Sequence, residues 1–140
     1  MSISKGWLEK RRFERVKDVL KVAYYRIKDP EVALSDDYKD TTIEKLSKGG
    51  NSPVIQAITE DISEGGLSII TNENLAAGEK IVIDLFLPRV SNPVRILAEI
   101  KHVEAALKTA ASYRAGLSII SISKSDINKI EARVNETKNR

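Results

Sequence analysis

Two apolar, strand-like segments are joined by the sequence Thr59-Glu60-Asp61-Ile62-Ser63-Glu64-Gly65-Gly66-Leu67-Ser68. Within it, Asp61, Ser63 and Gly66 form the pattern D-x-S-x-x-G. A carboxylate and a hydroxyl two residues apart point to the same side of an extended chain, where they can bond the polar edge of a base. The glycines allow a positive φ and a close approach of the backbone. The same pattern equally fits a hairpin turn capped by its Asp or Ser side chain.

A basic segment, Lys10-Arg11-Arg12-Phe13-Glu14-Arg15, precedes the first strand-like segment and holds four cations in six residues. Guanidinium groups offer bidentate donors that match phosphate oxygens and the Hoogsteen edge of guanine, and they stack on base planes. Arg11 and Arg15 can converge if the segment turns, because they are four residues apart. The alternative is a solvated surface or a diffuse patch for polyanions, which is common for short basic runs.

Together and in this order, the two motifs resemble the PilZ domain, the bacterial receptor module for cyclic di-GMP. The family pattern is R-x-x-x-R in an N-terminal arm, followed by [DN]-x-S-x-x-G on a β-barrel. The matching residues of this chain are Arg11 and Arg15 for the first motif, and Asp61, Ser63 and Gly66 for the second. The resemblance covers most of the chain, from about residue 10 to residue 122.

The resemblance implies a role for each matching residue. Arg11 and Arg15 are expected to clamp phosphate and guanine. Asp61 is expected to accept hydrogen bonds from guanine N1–H and the exocyclic amine. Ser63 is expected to bond the base or a phosphate, and Gly66 to permit the turn.

Two further basic residues are auxiliary candidates for the ligand site. Arg12 is either a phosphate contact or a solvated neighbour. Lys10 stands where many family members have a third arginine, and lysine keeps the charge but loses the flat stacking surface and the bidentate fork. This difference leaves open whether the site takes one ligand or an intercalated pair, with a slight preference for the pair.

Composition and length indicate a single soluble domain. The chain has 140 residues, of which 41% are hydrophobic and 31% charged, and it has no cysteine. A disulfide framework and a thiolate metal site are therefore excluded. No apolar run approaches the ~20 residues that cross a bilayer, and the N-terminus lacks the apolar stretch of a secretory signal. We expect a cytoplasmic protein without membrane insertion.

The charge is unevenly distributed along the chain. The net charge is +3, but residues 1–28 carry nine Lys or Arg against three acidic residues. A basic arm on a near-neutral body fits a small phosphate ligand better than a long nucleic acid, whose binders spread basic residues over a wide face. We therefore expect no DNA or RNA partner.

Short segments with alternating or β-branched apolar residues predict an all-β fold. They cover residues 16–27, 54–62, 67–71, 80–87, 94–101 and 113–122. The predicted architecture is a six-stranded antiparallel β-barrel with a basic N-terminal arm (1–17), a barrel domain (18–123) that includes a long connection (29–53), and a C-terminal helix (124–140). In that helix, Ser123 or Ser125 is the predicted N-cap. Its apolar stripe consists of Ile127, Ile130 and Val134, which we expect to cover the barrel, the alternative being a partner surface.

Catalysis is not indicated. The single histidine, His102, lies on a strand without a recognisable partner and is interpreted as a structural residue, and no catalytic or metal-binding motif is present. We therefore expect a non-enzymatic receptor without a cofactor, whose ligand is cyclic di-GMP and which signals to an unidentified effector protein as a monomer or weak homodimer. Motility, polysaccharide export and virulence are outputs that the resemblance implies.

Two other functions remain open. The first is a PilZ-fold protein–protein adaptor that does not bind nucleotide, which is favoured if the lysine at position 10 damages the ligand site. The second is a small barrel that binds single-stranded nucleic acid. That function needs exposed aromatic stacking platforms, whereas aromatic residues make up only 5% of the chain.

Overall fold

Seven antiparallel strands and one helix form the part of the chain that the computed structural model describes, which is residues 15–27, 53–106 and 112–139. The strands are β1 Val16–Lys17, β2 Lys21–Ile27, β3 Ile55–Ile62, β4 Gly66–Thr71, β5 Lys80–Leu85, β6 Val94–Ala105 and β7 Tyr113–Ile122, and the helix is α1 Lys124–Lys138. Lys10, Arg11 and Arg12 lie outside the described residues, as does the predicted connection up to residue 52.

Six of the strands close into a barrel. Their order is β3-β2-β5-β6-β7-β4, and the additional pairing of β4 with β3 completes the circle. The short strand β1 pairs with the last two residues of β3. The prediction of a six-stranded antiparallel barrel followed by a helix is confirmed, with β1 as one extra strand.

The interior of the barrel is filled by the apolar residues that alternate along the strands. In β5, Ile81, Ile83 and Leu85 are each at most 1% exposed, and Leu87 follows them into the core after the strand ends. Ile96, Ala98 and Ile100 of β6 and Leu117 of β7 face the same core. Period-two alternation therefore identified the inward faces correctly.

The segment predicted as one strand over residues 16–27 is divided into β1 and β2. In the link between these two strands, a side chain of β3 forms hydrogen bonds with backbone groups. The hydroxyl of Thr59 accepts a hydrogen bond from the amide of Leu20 (2.8 Å) and donates to the carbonyl of Asp18 (2.6 Å). Thr59 is fully buried. These bonds add to two backbone hydrogen bonds with β3, from the Asp18 amide to the Glu60 carbonyl (3.2 Å) and from the Thr59 amide to the Leu20 carbonyl (2.8 Å).

Helix α1 closes one end of the barrel. Ser123 is its N-cap and accepts a hydrogen bond from the amide of Asp126 (3.2 Å). Ile130 and Val134 are buried in the core, while Ile127 is only partly buried. The helix therefore packs on the barrel as expected. None of the helical structure within the described ranges has the length and apolar character that a bilayer span needs.

Two ion pairs stabilise the end of the barrel that α1 closes. Arg133 of α1 donates two hydrogen bonds to Asp18 (2.6 and 2.9 Å), in the link between β1 and β2. Arg95 of β6 donates two to Asp84 of β5 (2.8 and 2.9 Å). Burial raises the pKa of Asp84, and the hydrogen bonds from Arg95 oppose that rise. The carboxylate of Asp126 accepts a hydrogen bond from the backbone amide of Arg95 (3.1 Å), which links the start of α1 to β6.

Candidate functional site

The turn between β3 and β4 is closed by Ser63. Its amide donates to the carbonyl of Gly66 (2.8 Å), and its hydroxyl accepts from the amides of Gly65 (3.2 Å) and Gly66 (3.1 Å) while donating to the Gly66 carbonyl (3.2 Å). The residue is buried. The serine-capped turn, one of the two interpretations of the motif, is present. A direct contact of Ser63 with a ligand stays a prediction.

A β-bulge in β3 turns Asp61 to the outside of the barrel. The pairing with β4 runs from Thr59↔Ile69 directly to Asp61↔Ser68, so Glu60 is an extra residue in β3. Thr59 and, three residues later, Ile62 are both buried, whereas Glu60 and Asp61 between them are partly exposed. Bulges re-aim side chains in this way. Without the bulge, Asp61 and Thr59 would share one face, so the outward position of Asp61 depends on a feature that the motif does not encode.

Arg15 lies against Asp61. Its Nη1 is 2.7 Å from Asp61 Oδ1, across 46 residues of sequence. The register of β1, with Val16 opposite Ile62 and Lys17 opposite Asp61, holds Arg15 beside the turn. The Arg15 side chain is 48% exposed and that of Asp61 23%, so both are accessible to a ligand. The structure thus brings the last arginine of the basic segment to the D-x-S-x-x-G turn.

Gly66 is the point at which three parts of the chain meet. A Cβ added here would collide with the backbone carbonyl oxygen of Leu117 in β7 and would lie 3.5 Å from Arg15 Nη2. The glycine therefore permits the close approach of β7 that was expected, and Arg15 lies in van der Waals range of the same position. The φ of Gly66 is not positive, however; among the glycines of the described residues, positive φ occurs at Gly78.

The neighbouring cation, Arg114, is already neutralised. It donates two hydrogen bonds to Glu60 (2.6 and 2.9 Å) and one to Glu104 (3.2 Å). The hydrogen bonds that Arg114 donates to Glu60 and Glu104 raise the pKa of Arg114. With its guanidinium held by two carboxylates, Arg114 is a weaker anion site than Arg15. Among the described residues, no group of three or more acidic or histidine side chains is placed to hold a metal ion.

A separate groove of about 600 Å³ lies further along β3, on the outer face of β2 and β3. Its lining is mainly apolar and includes Ile58, Phe86 and the single charged residue Lys21. It contains no carboxylate to accept from guanine, so it does not match the chemistry expected of the ligand.

The arrangement of arm, turn and barrel corresponds to a known family. The model of the PilZ domain matches residues 9–136. This chain belongs to the PilZ domain family. A search of curated protein sequences finds no significant match.

Solved structures agree with the fold of this PilZ domain. The PilZ domain of YcgR from Escherichia coli, titled as a structure with c-di-GMP, has a TM-score of 0.60 at 10% identity, over 93% of this chain and 92% of that one. MotI/DgrA, the inhibitor of motility from Bacillus subtilis, has a TM-score of 0.63 at 16% identity, over 93% of this chain and 52% of that one. MrkH, titled a c-di-GMP-dependent transcription regulatory factor, has a TM-score of 0.60 at 18% identity, over 90% of this chain and 50% of that one. The PilZ chain therefore spans about half the length of the MotI and MrkH chains.

Replacing Gly66 by alanine is expected to destabilise the barrel. The new Cβ meets a backbone oxygen of β7, which can move only if the pairing of β4 with β7 shifts. Overpacking of this kind costs about 1–3 kcal/mol. Thermal unfolding measures it, with Gly116→Ala as the matched control. A Cβ at Gly116 meets only the imidazole of His102, a side chain that can rotate away. Equal losses in the two variants would contradict the explanation.

Proposed function

We propose that this PilZ protein is a non-enzymatic receptor for cyclic di-GMP, with its site on the outer face of the barrel at the D-x-S-x-x-G turn. The observation that carries the proposal is the convergence of Arg15, Asp61 and Gly66 at that turn. A half-exposed guanidinium beside a half-buried carboxylate supplies a donor for phosphate and an acceptor for a base within one contact distance. Both motifs of the family contribute to this convergence.

The site residues have complementary roles in this proposal. Arg11 and Arg15 bind the phosphates and a guanine, with Lys10 and Arg12 as auxiliary cations. Asp61 accepts hydrogen bonds from guanine N1–H and its amino group, which distinguishes guanine from adenine because adenine has no N1–H. Ser63 holds the turn and is a further candidate contact, and Gly66 permits the close approach of β7.

The ion pair between Arg15 and Asp61 holds the two side chains close to each other at the proposed ligand site. An exposed pair of this kind is worth only ~0–1 kcal/mol, so exchanging it for ligand contacts costs little. On binding, Asp61 turns its acceptors to the guanine and Arg15 turns its donors to the phosphate. The ion pair positions both groups without competing strongly with the ligand.

The response to the ligand is a change in the position of the N-terminal arm. The excess positive charge of residues 1–28 favours an arm that the ligand's phosphates draw onto the barrel. The rearranged arm then forms a surface for an effector protein. MotI is titled an inhibitor of motility and MrkH a transcription regulatory factor, so an output through motility or gene expression is consistent with proteins of this fold.

Calorimetric titration with cyclic di-GMP, with GTP and cyclic di-AMP as controls, tests this function. We expect selective binding by the parent protein and a loss of about 1.5–3 kcal/mol, roughly 10- to 150-fold in affinity, for Asp61→Ala, because a charged acceptor is lost. Glu131→Ala is the matched control, since Glu131 is an exposed acid of α1. The stoichiometry distinguishes one ligand from a pair.

The titration also separates the receptor from the adaptor. Absence of heat and of a thermal shift with the parent protein would overturn the receptor function and favour an adaptor that works through protein contacts alone. Equal affinity of the parent and Asp61→Ala would reject the site while leaving the receptor function in place.

A further inference from the structure

Four residues lie in one row across the outer face of the barrel. Asp61 of β3 is opposite Ser68 of β4, Ser68 is opposite Gly116 of β7, and Gly116 is opposite His102 of β6. Side chains of directly opposed residues lie on the same face of a sheet. The core residues Leu67 and Leu117 alternate with this row and point inward. The candidate site at Asp61 therefore continues across two strands to His102.

A second β-bulge marks the far end of the row. The pairing of β6 with β7 runs from Ile100↔Leu117 directly to His102↔Gly116, which makes Lys101 an extra residue. Both Lys101 and His102 are exposed, as Glu60 and Asp61 are both turned outward by the bulge in β3. Bulges occur preferentially next to functional sites. Here one bulge stands at each end of the same four-residue row.

The imidazole of His102 occupies the space that a side chain at position 116 would need. A Cβ at Gly116 would run into all three of the nearest ring atoms of His102. Any other residue at position 116 would therefore push the ring away from the row. Within the described residues no hydrogen bond or ion pair of His102 is present, while its neighbour Lys101 bonds Glu99 (3.3 Å). His102 is exposed.

We propose that His102, seated on Gly116, is a stacking platform for a purine base of the ligand, so that the binding site spans β3, β4, β7 and β6. This inference rests on the proposed function at Asp61. Asp61 and His102 are three strand spacings apart, roughly 14 Å at the usual separation of strands. A ligand with two guanines joined by a diphosphate ring presents a second base, or the base of a second stacked ligand, to a group at that distance from Asp61.

The surface between the two ends suits a flat ligand. Gly116 lies beneath the imidazole of His102, Ser68 has a small, buried side chain, and Gly66 lies diagonally from Gly116, about 7–8 Å away. The charged groups beside the row are paired: Arg114 with Glu60 and Glu104, and Lys101 with Glu99. A base can therefore lie on the sheet between Arg15 and His102 without burying an unpaired charge.

Three substitutions at position 102 distinguish two roles of the His102 side chain: stacking on a base of the ligand, and packing over Gly116. His102→Phe keeps an aromatic ring, His102→Leu covers the glycine without one, and His102→Ala removes both. Calorimetric titration with cyclic di-GMP is expected to give affinities near the parent for Phe and losses of roughly 5- to 150-fold for Leu and Ala, the range for removal of one base-stacking group. Phe86→Ala, which removes an exposed aromatic residue outside the row, is the matched control and is expected to bind like the parent.

The outcomes are distinct. Parent-like affinity of His102→Leu and His102→Ala, with selective binding by the parent, would overturn the stacking role and leave the receptor function in place. A parent protein that does not bind would overturn both. Thermal unfolding of each variant shows that losses of affinity are not losses of folding. Gly116→Ala adds a second readout, because it displaces the ring and is expected to weaken binding while His102 itself is retained.

Discussion

The double variant Arg11→Ala/Arg15→Ala is expected to lose cyclic di-GMP binding by about 3–6 kcal/mol, roughly 10²- to 10⁴-fold in affinity. Each guanidinium is expected to make a charge-assisted contact, and such contacts are worth about 1.5–3 kcal/mol each. Arg15 is already held at the site by its ion pair with Asp61 (2.7 Å), and its guanidinium lies next to Gly66. Its removal leaves ligand phosphate facing a turn whose remaining neighbour, Asp61, is negative. Calorimetric titration measures the loss.

A matched control separates specific contacts from a general loss of positive charge. Lys21→Ala/Lys124→Ala also removes two exposed cations, in β2 and at the start of α1. Long-range attraction of the anionic ligand depends on the summed charge of the protein. This control is therefore expected to lower affinity only slightly, and the decrease is expected to be smaller at high salt. If the two double variants lost affinity equally, the arginines would act as diffuse charge and the clamp would be rejected.

The inward faces of the strands were predictable because period-two alternation is a local property. Ile81, Ile83 and Leu85 alternate with Val82 and Asp84 in the sequence and fill the barrel in the structure. The signals for α1 were equally local: a serine N-cap at its start, followed by Ile130 and Val134 at helical spacing. Burial of apolar surface determines these elements, and the spacing of the apolar residues that become buried is visible in the sequence.

The bulges at Glu60 and Lys101 were not predictable, because a bulge is defined by the partner strand. Nothing in the spacing of Asp61 and Ser63 shows that β4 skips one residue of β3. The division between β1 and β2 was not predictable for a similar reason, since the link between them bonds to a hydroxyl 39 residues away from Leu20.

The candidate site was predictable in part for the same reason. Two motifs that resemble a family pointed to Arg15, Asp61 and Gly66, and the structure places these three together. His102 was interpreted as a structural residue of the barrel, because a lone histidine carries no motif. Its position in the row of Asp61 follows only from the registers of three strand pairs. The registers of the strands therefore identify a proposed site residue, His102, that the two motifs do not identify.

Arg133→Met is expected to destabilise the protein by about 3–5 kcal/mol, the cost of breaking a buried ion pair by removing one partner. The side chains of Asp18 and Arg133 are only 7% and 11% exposed, and two hydrogen bonds join them. The hydrogen bonds that Arg133 donates to Asp18 raise the pKa of Arg133, so the arginine stays charged throughout the accessible pH range. Without it, the Asp18 carboxylate is buried with no cation. Thermal unfolding is expected to shift down by roughly 10–20 °C.

Two further variants identify the cause of that loss. Arg89→Met removes an arginine whose side chain is 82% exposed and whose ion pair with Glu136 is 3.4 Å long, and it is expected to cost at most ~1 kcal/mol. Asp18→Asn/Arg133→Met removes both charges and is expected to recover much of the stability, because no unpaired charge is left buried. If the double variant were as unstable as Arg133→Met alone, lost packing of the arginine stem on the barrel would be the cause. Asp18 follows Arg15 by three residues, so the pair also ties α1 to the segment that positions Arg15.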